Sequence, residues 1–187
     1  MNLPNILTLI RIALVPVFIL VFYLPFSWSS IAAMYVFLLA SLTDWLDGYL
    51  ARKYQQTTAF GAFLDPVADK LIVAVALVVL VSAYPTLWMS IPAAIIIGRE
   101  IIISALREWM AAEGKRSEVA VSDIGKWKTT VQMLAMLFLI YQVPLFGVIP
   151  VIEIGYVLLY IAVFLTLWSM VSYLRAALPV LLASDKQ

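Results

Sequence analysis

The sequence predicts an all-α polytopic membrane protein with six transmembrane helices and an interfacial N-terminal helical segment. Three observations lead there. The chain of 187 residues is 65% hydrophobic and 12% charged, whereas a soluble domain is about half apolar and about a quarter charged. Six stretches approach the roughly 20 apolar residues that a helix needs to cross the hydrocarbon. The loops also alternate between those with Lys or Arg and those without, the asymmetry that orients a membrane protein.

The first span covers about Ile6–Leu24. It lacks a basic leader and a clear small-residue cleavage site, and Arg11 lies inside it, so it reads as a retained helix and not a signal peptide. In its first turns Asn5, Thr8 and Arg11 fall on one side of the helical wheel, with Ile6, Leu9 and Ile10 opposite. That is the pattern of an interfacial entry. Pro16 is expected to kink the helix near its middle. The remaining spans are Ile31–Ala51, Ala62–Tyr84, Ser90–Met110, Ile124–Tyr141 and Ile152–Leu174.

The turns LPFSWSS (24–30), YPTLWMS (84–90) and VPLFGVIP (143–150) hold no Lys or Arg, so all 12 cations lie on or near the other side. By the positive-inside rule that side is cytoplasmic, and six spans place both termini there. Trp28, Tyr84, Trp88 and Trp109 fit interfacial belts. No second soluble domain, long linker, low-complexity run or repeat is visible, so residues 1–187 read as one membrane domain. The net charge of +1 says little about partners, and no nucleic-acid partner is expected.

The chain has no Cys and no His, which removes thiol nucleophiles, histidine bases and a Cys/His zinc site. Against this background one short stretch stands out. Asp44 and Asp47 are three apart and share a helix face, with Gly48 and Ala51 on the same stripe. Asp65 and Asp69 are four apart, with Gly61 one turn earlier. The first pair lies at the cytoplasmic end of the second span and the other at the cytoplasmic start of the third. A short loop between antiparallel neighbours would bring them to one depth. Pro66 is tolerated there only near the start of the third helix.

Four poorly solvated carboxylates repel one another and stay ionised only beside positive charge. Lys70 and Arg52 supply some. A hard divalent ion, Mg2+ or Mn2+, supplies more, and two such ions about 4 Å apart would form the clamp used in displacement at phosphorus. Structural pairing and an ion path are the competing explanations. Four Asp on two faces, flanked by small residues and an Arg, weigh against the first. A transporter site belongs near the midplane among broken helices and repeats, which weighs against the second.

The pattern Asp44-x2-Asp47-Gly48-x2-Ala51-Arg52-x8-Gly61-x3-Asp65-x3-Asp69 resembles, at every fixed position, the signature of the class-I CDP-alcohol phosphatidyltransferases. NLPNILTLIR (2–11), GREIIISALREW (98–109) and IGKWKTTVQM (124–133) resemble the bacterial branch of that family that uses glycerol 3-phosphate as acceptor. The resemblance implies phosphatidyl transfer from CDP-diacylglycerol to glycerol 3-phosphate at the cytoplasmic face of the bacterial inner membrane, in phosphatidylglycerol biosynthesis. It also implies a homodimer. Asp44, Asp47 and Asp65 would hold two Mg2+ or Mn2+ ions. Asp69 would be the general base and also touch a metal. Gly48, Ala51, Arg52 and Gly61, with Asn5, Thr8 and Arg11, would lie along CDP-diacylglycerol.

A dianionic acceptor needs cations. Arg107 shares a face with Glu100 and Ser104, and its fork suits two phosphate oxygens. Lys126 and Lys128 stand at the start of the fifth span, where a helix N-terminus favours an anion. These three favour a phosphorylated acceptor over serine. Inositol phosphate and phosphatidylglycerol, acceptors used by relatives, are the alternatives. Arg99 either pairs near Glu100 or lines the pocket. Glu153 is expected at a solvated helix end on the opposite face.

Overall fold

A computed structural model describes residues 3–54, 59–115, 123–144 and 147–184. Within these residues six helices run in order: α1 (Leu3–Phe22), α2 (Ser29–Tyr54), α3 (Ala59–Ala83), α4 (Leu87–Ala112), α5 (Asp123–Tyr141) and α6 (Val151–Ser184). The all-helical expectation holds. Among the described residues, four stretches are long and apolar enough to cross a membrane: Asn5–Phe22, Phe63–Ala83, Leu87–Ala112 and Val151–Leu182. The apolar part of α2, Ser29–Thr43, is shorter. Many large apolar side chains face outward, among them Leu20, Phe63, Val78, Ile101 and Phe164, as expected where the surrounding solvent is lipid.

Two compact units divide the chain, one of residues 1–85 and 136–155 and the other of residues 86–135 and 156–187. In the first, α1 packs on both α2 and α3. Phe18 of α1 meets Phe37 of α2 with ring centroids 6.0 Å apart. Ala33 and Ala40 flank Phe37 on the buried face of α2, and Ala68 and Ala76 do the same for Ile72 on α3. Small residues at such positions let backbones approach closely and gain dispersion contacts where no hydrophobic drive acts between helices. Near the other end of this unit the Tyr84 hydroxyl donates to the Leu139 carbonyl at 3.1 Å. A Cβ on Gly155 would stand 2.8 Å from Leu139 Cγ, so α6 lies hard against α5 there.

In the second unit, Ile103 and Met110 of α4 form a core cluster with Tyr173, Ala177 and Val180 of α6. This cluster explains why α6 continues ten residues beyond the expected Leu174, to Ser184. Arg175 and Pro179 look like stop signals, yet the buried row 173, 177, 180 keeps the helical spacing across them. At 1.5 Å per residue, the 34 residues of α6 reach well beyond a hydrocarbon core of about 30 Å. Glu153 is exposed in the first turn of α6, where a carboxylate complements the helix dipole.

Two local expectations are corrected. Pro66 lies beyond the first turn of α3, because the helix begins at Ala59 and not at Ala62. Pro66 therefore leaves the carbonyl four residues earlier without its helical donor. The polar stripe of α1 does not face outward as an interfacial helix would require. Thr8 and Arg11 are fully buried and Asn5 nearly so, while Ile6 and Ile10 are exposed. The stripe turns inward toward α3, where Thr8 finds its partner, and the apolar side is left for lipid.

Candidate active site

The residues singled out by the sequence fall into two groups. The first belongs to α1, α2 and α3. On α3 the buried row Ala68, Ile72, Ala76 continues toward the helix start through Asp65 to Gly61, itself buried. The four-residue spacing puts Asp65 and Asp69 on neighbouring turns of one face, and both are partly buried. From α1, Thr8 Oγ1 donates a hydrogen bond to Asp65 Oδ1 at 2.5 Å.

That bond gives the buried stripe of α1 a purpose. A hydroxyl donor on one carboxylate oxygen fixes the orientation of the Asp65 side chain. Hard oxygen donors in the absence of any thiol or imidazole match Mg2+ or Mn2+, so Asp65 and Asp69 fit the expected ions. The side chains of Asp44, Asp47, Gly48, Ala51 and Arg52 lie outside the described residues. Among the described residues no three acidic side chains cluster.

The second group belongs to α4, α5 and α6. Glu100 Oε2 accepts from Arg99 Nη1 at 3.2 Å and from Lys128 Nζ at 3.1 Å. Arg99 Nη2 donates to Ser169 Oγ at 2.8 Å, and Ser169 Oγ donates to the Thr166 carbonyl at 3.0 Å. The guanidinium carbon stands 5.8 Å from the Tyr173 ring centroid, within cation–π range. Arg99 is 7% exposed and Lys128 5%. Burying two cations is costly unless a counter-charge and hydrogen bonds accompany them, and Glu100 supplies the charge. Arg99 Nε, Gln132 Oε1 and Thr166 Oγ1 are buried without a hydrogen-bond partner among the described residues.

Arg107 is exposed on α4, seven residues from Glu100 and so on the same face, with Ser104 between them. The Ser104 hydroxyl donates back to the Glu100 carbonyl at 2.6 Å, a local helix bond. The Lys126 side chain lies outside the described residues. The structure thus joins Lys128 to Glu100 and Arg99, and it decides between the two roles of Arg99 in favour of pairing. Reading the sequence missed Ser169, Thr166 and Tyr173. A signal was present: Thr166 and Ser169 lie three apart in an otherwise apolar helix, where polar groups serve as interhelical glue.

Comparison with known proteins gives the same direction. The CDP-alcohol phosphatidyltransferase family model matches residues 1–168. A CDP-diacylglycerol–glycerol-3-phosphate 3-phosphatidyltransferase of Escherichia coli strain K12 is 55% identical over 176 residues, 94% of each chain. Relatives of the same name from Pectobacterium atrosepticum and Shigella flexneri are 56% and 55% identical, again over 94% of each chain. A family match over most of the length, with its signature carboxylates on α2 and α3, has one consequence: the chain belongs to the CDP-alcohol phosphatidyltransferase family.

Proposed function

We propose that this chain transfers the phosphatidyl group of CDP-diacylglycerol to sn-glycerol 3-phosphate, giving phosphatidylglycerophosphate and CMP. The observation that carries this is the 55% identity, over 94% of both chains, to relatives bearing the name of that activity. The geometry on α1 and α3 supports it. The whole chain acts as one catalytic domain with six spans in the bacterial inner membrane, as a homodimer, with both termini and the chemistry on the cytoplasmic side. Among the described residues four helices are long and apolar enough to span, and the charge-free turns alternate with the cationic ones.

Asp44, Asp47, Asp65 and Asp69 hold two Mg2+ or Mn2+ ions. Those four carboxylates would place the ions where they would supply positive charge to the acceptor hydroxyl and to the phosphates. Asp69 takes the proton of the glycerol 3-phosphate hydroxyl as that oxygen attacks the phosphorus bearing diacylglycerol. The bond from phosphorus to the CMP oxygen breaks, and CMP leaves with the electron pair. Gly48, Ala51, Arg52 and Gly61 lie along the cytidine diphosphate, and the small residues let it approach the backbone. Asn5, Thr8 and Arg11 support the donor site from α1. Arg107, Lys126 and Lys128 receive the phosphate of the acceptor.

The test is a panel of alcohol acceptors offered with CDP-diacylglycerol to the detergent-purified protein. Glycerol 3-phosphate should release CMP and form phosphatidylglycerophosphate. Turnover with inositol phosphate or phosphatidylglycerol instead would replace the acceptor assignment. Arg107→Ala should raise the KM for glycerol 3-phosphate about tenfold or more, as expected for a lost hydrogen bond between charged groups, with the KM for CDP-diacylglycerol unchanged. A change confined to the donor would remove Arg107 from the acceptor site.

Thr8→Val keeps the shape of the side chain and deletes its bond to Asp65. It should raise the Mn2+ concentration for half-saturation about tenfold, the usual scale for losing a partner that orients a ligand. Thr8→Ser should restore it. Electron paramagnetic resonance of free Mn2+ reads this binding without turnover, and equal affinity in all three proteins would show that Thr8 does not orient a ligand.

A further inference from the structure

We infer that Glu100 is a positioning residue for acceptor binding, holding the Lys128 ammonium in place through a relay anchored on α6; the inference rests on the acceptor role proposed above for Lys128. The relay can be followed bond by bond. Ser169 and Tyr173 fix the Arg99 guanidinium from α6, by a 2.8 Å hydrogen bond and by the ring at 5.8 Å. Arg99, so held, donates to Glu100 Oε2, and the same oxygen accepts from Lys128 Nζ on α5. A planar guanidinium with two anchors is rigid, while a lysine reaches out on four rotatable carbons.

The charge balance agrees. Two cations share one carboxylate oxygen, Glu100 Oε2, so Glu100 offsets part of the cost of burying both. The cations are 7% and 5% exposed, whereas the Glu100 side chain is 33% exposed. Glu100 is therefore the most accessible member of the cluster. An ammonium presents three donors, and the one that goes to Glu100 fixes the direction in which the head of Lys128 points. A purely structural ion pair would affect folding alone. A positioning residue affects binding of the acceptor and spares the donor.

The experiment uses the full chain in detergent with four variants: Glu100→Gln, Glu100→Asp, Lys128→Gln and the double variant E100Q/K128Q. E100Q should raise the KM for glycerol 3-phosphate about thirtyfold or more, the lower end for breaking one side of a buried charged pair. Its kcat should stay within about threefold and its KM for CDP-diacylglycerol within about twofold. E100D, which keeps the charge on a shorter arm, should recover part of the loss. The double variant should match K128Q, because a residue acting only through Lys128 has nothing to position once Lys128 is gone.

An acceptor KM that is unchanged or lowered in E100Q overturns the proposal, the lowered value meaning that Glu100 competes with the acceptor. Equal shifts for both substrates, or additive losses in the double variant, overturn it as well. If E100Q does not yield a monodisperse protein, E100D decides: an acceptor KM equal to that of the unaltered chain overturns the proposal. K128Q separates the two levels. With K128Q impaired and E100Q silent, only the positioning role fails. With K128Q silent, the acceptor assignment of Lys128 fails, and the role of Glu100 with it.

Discussion

Asp69→Asn should lower kcat by about a hundred- to ten-thousandfold, the range a positioned general base supplies, while the protein stays folded and still binds CDP-diacylglycerol. The substitution is nearly isosteric. The amide keeps one oxygen that can face a metal but cannot accept the proton of the attacking hydroxyl. Asp69 stands one turn beyond Asp65 on α3 and is partly buried, so the change touches no fully buried core position. Two readouts together make the test sharp. CMP release from labelled CDP-diacylglycerol measures turnover, and thermal unfolding in detergent measures the fold. Near-normal turnover would leave the mechanism without its base. An equal fall in stability would turn Asp69 into a structural carboxylate.

Much of the helical plan was legible because apolar runs of about 20 residues have few alternatives in lipid. The fourth helix was expected over Ser90–Met110 and runs over Leu87–Ala112. Where the expectation fell short, packing overrode local signals. The sixth span was expected to end at Leu174, and the buried contacts of Tyr173, Ala177 and Val180 carry the helix past it.

The site was legible where it depends on spacing within one helix. Asp65 and Asp69 share a face for that reason alone. It was not legible where it depends on which way a face turns. The wheel grouped Asn5, Thr8 and Arg11 correctly, but only the contact of Thr8 with Asp65, 57 residues away, shows that the group points inward. The partners of Arg99 had the same difficulty, since Ser169 is 70 residues distant. In a membrane protein the polar stripe can lie inside and the apolar one outside, so amphipathicity by itself does not say which side meets water.

Chelation should produce the other large effect. EDTA in excess should lower CMP release by at least about a hundredfold, since the proposed ions would supply several kcal/mol of stabilisation to the transferring phosphate, and Mg2+ or Mn2+ in excess should restore it. The sequence makes the reason compelling: Asp44, Asp47, Asp65 and Asp69 fall within 26 residues, and no His or Cys is available to hold a softer metal. Like charges gathered in a poorly solvated place favour whatever neutralises them, so the ions should also stabilise the folded chain. Added Mn2+ should therefore raise Tm in detergent with a dependence on concentration, as any ligand of the native state does. Substituting Asp65→Ala should remove most of that rise along with turnover, whereas Lys128→Gln should leave the rise intact. Full activity in excess EDTA, or a Tm indifferent to Mn2+, would mean that the carboxylates serve some end other than gathering ions. The proposed displacement at phosphorus would then lose its source of charge neutralisation.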